Sequence, residues 1–386
     1  MTHFSPGAVR SAVAALLLLP SLGALALASP GAGATDSVAS DRNDGDERHE
    51  LAPRVEETRY YRVVQTVALH DVPETAELVR LWTAVPVDGP WQRVLDMRVI
   101  EAPEGWSLVR QPASGGAMIY SESPAAARSS DPVKVVVEYL VQREAPAVDM
   151  RMPTDLHVDQ EPLQRALFGE FLRTDASLME ASEQVRSMAR EACKGAKHPR
   201  EKVLRLLDAV ASSVDHYSKD ASKPHCGRGA ASDCLEHGGG CCTDIHSLFI
   251  AMARAEGIPA RLQMGHRLRG DREGQTFDPS YRCWVEFWLD GSGWVPTDIV
   301  VADSGSPEWR AEQWGRVDAR RVWLWEGRGY DLVPKQAGPP IQTMHSGWAE
   351  IDGVAVDPLP KEDGTPSRLR RTVRFADVTD AFTEGR

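Results

Sequence analysis

Apolar and polar residues alternate along two stretches of the N-terminal third. In "VKVVVEYLVQR" the residues Val133, Val135, Val137, Tyr139 and Val141 share one face, and "TRYYRVVQTVALH" repeats the two-residue period. Such alternation predicts half-buried strands. The turn signals "DGP", "APEG" and "ASGG" punctuate the region, so residues 55–146 are expected to form an antiparallel, immunoglobulin-like β-sandwich. Near residue 160 the period lengthens. "ASLMEASEQVRSMAREACKG" and "PREKVLRLLDAVASSV" space apolar residues three and four apart, which predicts core helices, with Pro199 suited to a first turn. A polar loop over 217–240 leads into "GGGCCTDIHSLFIAMARAEGIPAR". There Ile245, Leu248, Phe249, Met252 and Ala253 line one helical face. Gly257 stops that helix and Ile258-Pro259 prevents its continuation. "ARLQMGHRL" reads as a strand, and "YRCWVEFWL" with "GWVPTDIV" as a hairpin across Asp290–Gly293. Residues 147–305 are thus expected to be a mixed α+β core, and 306–386 a β-rich C-terminal extension that closes it.

The first residues follow another pattern. "MTHFSPGAVRSAVAALLLLPSLGALALASPGAGA" sets Arg10 before a small, apolar run that ends in Ala32-Gly33-Ala34. This predicts a cleaved signal peptide over 1–34, a secreted or periplasmic protein, and a mature chain that does not span the membrane. Residues 35–54 are mostly polar and charged and are expected to be a disordered leader. The net charge of −12 excludes a nucleic-acid binder, which needs a basic face.

An exported chain can keep disulfides, and four of the six cysteines crowd into residues 226–242. Cys226, Cys234 and Cys241 are the candidates for a bridge, although spacing does not fix the pairing. Cys193 and Cys283 fall on apolar faces and read as buried core. Cys242 differs because it opens a helix. Unpaired N–H groups and the positive dipole end there favour a thiolate, and the same groups can hold an oxyanion. On local pattern alone, a structural cysteine cluster and a catalytic thiol both fit. Zinc fits less well, since His225 and His237 are near but no C-x-x-C pair is present. No calcium loop is evident, and no cofactor or metal is expected.

Taken together, "GGGCCTDIHSLFIAMARAEGIPARLQMGHRL" and "YRCWVEFWLDGSGWVPTDIV" resemble the transglutaminase-like superfamily. "VRLWTAVPVDGPWQRV" is similar to the sandwich domain that precedes the core in exported bacterial members. The resemblance implies a papain-like fold, with a nucleophile helix on an antiparallel sheet. It implies Cys-His-Asp acyl transfer on a peptide or protein substrate: amide cross-linking, deamidation or hydrolysis. Carried over, Cys242 is the nucleophile and Asp298 the triad acid. The histidine position holds Arg282. Arginine stays protonated and cannot shuttle a proton, so the site is expected to be impaired, the alternatives being a catalytically silent relative that binds peptide or cell-wall material and a structural protein that uses the fold as a scaffold. His246, one helical turn after Cys242, and His266 are the possible substitute bases. Asp298 is expected to pair with Arg282.

Overall fold

A computed structural model describes residues 52–125, 132–151, 166–225, 228–279, 281–344, 347–358 and 365–383. The expected signal peptide, the leader up to residue 51, and Cys226 lie outside these residues. From residue 52 onward the described chain belongs to one compact unit.

The N-terminal third is all β: β1 (Arg54–Leu69), β2 (Leu78–Val85), β3 (Gln92–Glu101), β4 (Ser107–Arg110), β5 (Ala117–Pro124) and β6 (Val133–Ala147). The alternation in β6 has the expected outcome. Val133, Val135, Val137, Tyr139 and Val141 are buried while their neighbours are half-buried. Each such side chain removed from water contributes roughly 1.5–3 kcal/mol before chain entropy is counted. β1 lies antiparallel to β6 from Arg54↔Ala147 to Leu69↔Val133.

The rest of the chain adds the short pair β7 (Asp215–His216) and β8 (Gly239–Gly240), then β9 (Ala260–Arg267), β10 (Arg282–Leu289), β11 (Gly293–Thr297) and β12 (Arg321–Glu326). It closes with β13 (Gly347–Ile351), β14 (Val354–Ala355) and β15 (Leu369–Asp377). The expected extension over 306–386 is corrected here, because its strands divide among three sheets. β12 completes a core sheet of order β11-β10-β9-β12, β15 pairs with β1, and β13 with β14 lengthens the sheet of β2, β5 and β4. The reason is edge protection. β1 and β2 would otherwise expose rows of unpaired backbone groups, and the C-terminal strands cover them while burying Leu369, Val373, Phe375 and Ala349.

The helices α1 (Glu183–Ala192), α2 (Pro199–Ser213) and α3 (Ala231–His237) pack on α4 (Cys242–Ala255), which lies against the core sheet. Ser182 caps α1 by accepting the Val185 N–H, and Pro199 opens α2. α4 lies on the sheet face that carries Cys283, Val285 and Phe287, and the Phe249 and Phe287 rings meet edge-on at 5.9 Å. Every residue from Cys242 to Arg254 is buried, a wider contact than the single apolar stripe predicts, because α1, α2 and α3 pack on its other sides. The helix ends as its sequence requires. Gly257 takes φ +77°, its N–H reaches the Arg254 carbonyl, and the Ile258 N–H reaches that of Ala253.

Candidate functional site

The turn before Cys242 is built for tight backbone fit. β7 and β8 run parallel and place His216 opposite Gly240. Gly239 has φ +151°, and a Cβ on it would stand 2.0 Å from the Asp215 carbonyl oxygen. A Cβ on Gly240 would meet Asp244 Oδ2 at 2.6 Å, and that oxygen accepts the Cys241 N–H at 2.9 Å. The glycines therefore serve the strand and the helix cap. Cys242 follows as the first residue of α4.

Helix position alone predicts a lowered thiol pKa, and the structure reverses this. A hydrogen bond with the Cys241 thiol pulls the Cys242 thiol down. The contact with Cys283 and burial raise it more, so it lies well above the ordinary thiol value despite help from the Arg282 charge. Cys234 and Cys241 are not disulfide-bonded, so the bridge expected among 226–242 does not form between them. Cys234 is sealed in the core and its thiol is likewise pushed up by burial.

Cys283 is buried as expected, but it belongs to this centre. Its Sγ lies 3.1 Å from His246 Nδ1 and 3.9 Å from Thr243 Oγ1. Strand parity was the available signal, since position 283 faces the helix and position 282 does not. His246 is fully buried, and its Nε2 accepts the Ile299 N–H at 3.1 Å. That bond assigns the neutral ring's proton to Nδ1, which donates it toward Cys283. Asp298 Oδ1 lies 3.6 Å from Nε2, too far for a hydrogen bond, and accepts the Val301 N–H at 3.1 Å.

The expected pairing of Asp298 with Arg282 is corrected. Asp298 Oδ2 forms an ion pair with Arg321 Nη1 at 2.7 Å, both side chains being buried. Burial alone would push the Asp298 carboxyl up. The Arg321 charge, His246 and the Val301 N–H overcome it and hold the carboxyl far below its usual range. Arg321 comes from β12, whose place beside β9 no local pattern announces. Arg282 is half-buried at the start of β10, in register with Gly265, and its charge pulls on Cys242 and His216. His266 is buried on β9 in register with Val322.

His216 is a site neighbour that sequence reasoning missed. Burial first, then the Arg282 and His246 charges, push its imidazole down to about 4, so it is neutral at pH 7. Its Nδ1 accepts the Ser218 N–H at 3.2 Å, which leaves the proton on Nε2. Among the described residues, no group of three His, Cys, Asp or Glu side chains is placed to hold a metal ion.

The remaining motif residues are structural. Arg254 donates through Nε and Nη2 to the Ala260 carbonyl at 3.0 and 2.8 Å, tying the end of α4 to β9. Arg261 pairs with Glu286 at 2.6 Å and lies over the Trp294 ring at 4.0 Å. The nucleophile helix, three of the four core strands and Asp298 lie within residues 186–299, which match the Transglutaminase-like superfamily, while β12 and Arg321 come from beyond them. The chain carries a transglutaminase-like core. An uncharacterized protein of Haemophilus influenzae is 33% identical over 183 residues, 39% of this chain and 49% of that protein. The chain thus spans about half the length of the curated relative it matches. A candidate cysteine protease of Cytophaga hutchinsonii superposes with TM-score 0.54 at 13% identity, covering 84% of this chain and 93% of that one. That likeness extends the shared fold beyond the transglutaminase-like core. The periplasmic domain of TgpA from Pseudomonas aeruginosa aligns at TM-score 0.34 and 18% identity, over 69% of this chain and 97% of that domain. Among the described residues, no helix is long and apolar enough to cross a membrane.

Proposed function

We propose that this transglutaminase-like protein has a Cys242-centred acyl-transfer site that acts on amide bonds and is impaired in turnover. The retained parts are a thiol at a helix N-terminus and a buried acid, Asp298. In a productive cycle the sulfur attacks the amide carbonyl, the C–N bond breaks, and the leaving amine takes a proton. Water or a second amine then cleaves the thioester. Both proton movements need a group that gives and takes at neutral pH.

One observation carries the reading: Asp298, the acid that would orient a histidine, is ion-paired with Arg321. Both nitrogens of His246 are engaged, one by the Ile299 N–H and one by Cys283. The nitrogen of His216 that could accept a proton is held by Ser218. The pattern over 1–34 supports placing the protein outside the cytoplasm, secreted or periplasmic. The Asp298–Arg321 pair also favours a second reading, a silent relative that binds peptide or cell-wall material in the same cleft.

The test combines active-site labelling with turnover of a fluorogenic peptide amide and incorporation of a fluorescent amine. The expected result is modification at Cys242 with little sustained turnover, the modification being lost in Cys242→Ala. Turnover of roughly 1 s⁻¹ or faster that depends on Cys242 would overturn the impairment.

A further inference from the structure

Beside the thiol centre lies a cavity of about 360 Å³ whose lining includes Arg267, Arg269, Arg282 and Arg320 against one acidic residue, Asp271. The whole chain carries −12, so this patch runs against its surroundings. Asp271 is taken, paired with Arg269 at 2.7 Å. The carboxylates behind the cavity are committed as well. Asp298 holds Arg321 at 2.7 Å, and Asp318 accepts the Arg320 backbone N–H while lying 3.7 Å from Arg321. Among the described residues, the side chains of Arg267, Arg282 and Arg320 therefore have neither a hydrogen bond nor an ion pair. Arg320 is led into the cleft by Gly270, where a Cβ would stand 2.6 Å from Nη1. The guanidiniums also oppose one another. Burial pushes Arg267 down, the Asp318 and Asp298 charges offset part of this, and those of Arg321 and Arg282 add to it.

Arg267 and Arg282 are half-buried and Arg320 is exposed, and three like charges lining one cavity favour an anionic ligand there. Planar guanidiniums match carboxylates two bonds at a time, and here they are spread over a loop and two strands rather than gathered around one point. We propose that this cleft binds the carboxylates of an acidic peptide and presents that peptide beside Cys242. The proposal rests on the amide-directed reading of the thiol centre, and Arg282 is the link, because it opens β10 immediately before Cys283, whose sulfur lies 3.1 Å from His246 in that centre.

The test is calorimetric titration of the full mature chain with triglutamate, triglutamine and inorganic phosphate. Triglutamate binds saturably, weakens as salt rises, and binds at least tenfold more tightly than triglutamine. Arg320→Gln, at an exposed position that leaves the core intact, weakens triglutamate about tenfold, and adding Arg282→Gln weakens it further. Equal affinity for the two peptides overturns the proposal. So does no saturable heat up to about 10 mM triglutamate, or phosphate binding without peptide binding. Cys242→Ala keeps triglutamate affinity within about twofold. Loss of acyl transfer alone would therefore sink the reading of the thiol and leave the anion cleft standing.

Discussion

Removing the cation that holds Asp298 gives the sharpest test of the site's electrostatics. In Arg321→Gln a buried carboxylate loses its partner, and Arg321 itself is 1% exposed. With charge centres about 4 Å apart, the attraction is about 4 kcal/mol at an effective dielectric near 20. Leaving one ion of a buried pair uncompensated costs about 3–5 kcal/mol, a large part of the stability of an ordinary domain. Urea unfolding at pH 7 should show a lower midpoint with unchanged slope. The pH dependence discriminates further. In the wild type the Asp298 carboxyl is held far below its unfolded value of about 3.9, so its stabilisation is complete above that pH and declines as pH falls below it. In Arg321→Gln the burial penalty loses its chief opponent and the carboxyl rises. Its ionised form then costs stability at neutral pH, and protonation relieves the cost. The gap between the two proteins should be widest near pH 7 and narrow toward pH 4. Arg321→Met combined with Asp298→Asn should recover most of the loss. A loss below about 1 kcal/mol at pH 7, or a gap that does not change with pH, would refute the reasoning.

Three further outcomes follow from the same centre. Iodoacetamide should modify Cys242 slowly at pH 7 and faster as pH rises past 9, because the thiol is raised; rapid modification at pH 6, read by intact mass, would contradict this. Gly240→Ala should lower stability by about 1–2 kcal/mol, since its Cβ would displace the Asp244 carboxylate that caps α4, and an unchanged urea midpoint would show that the cap yields freely. Arg282→His should raise fluorogenic amide turnover less than about tenfold while Arg321 holds Asp298. A gain of a hundredfold would mean that Asp298 is free to orient the new imidazole.

Short-range pattern determined much of this protein. The two-residue period in "VKVVVEYLVQR" set β6 and its buried face, the helical period set α4, and Gly257-Ile258-Pro259 set where that helix ends. These features were legible because each depends on neighbours within a turn or a strand. The placement of Cys242 at a helix start was legible for the same reason. What surrounds that thiol was not. Its raised pKa comes from Cys283, 41 positions away in sequence, and from burial by three other helices. The partner of Asp298 arrives on β12, which docks beside β9 only once the sheet has formed, and the final strands cross back to close the sandwich. Local propensity cannot choose among strands that all alternate. Edge pairing and the burial of long-range faces decide that choice, and with it which of several arginines meets the acid.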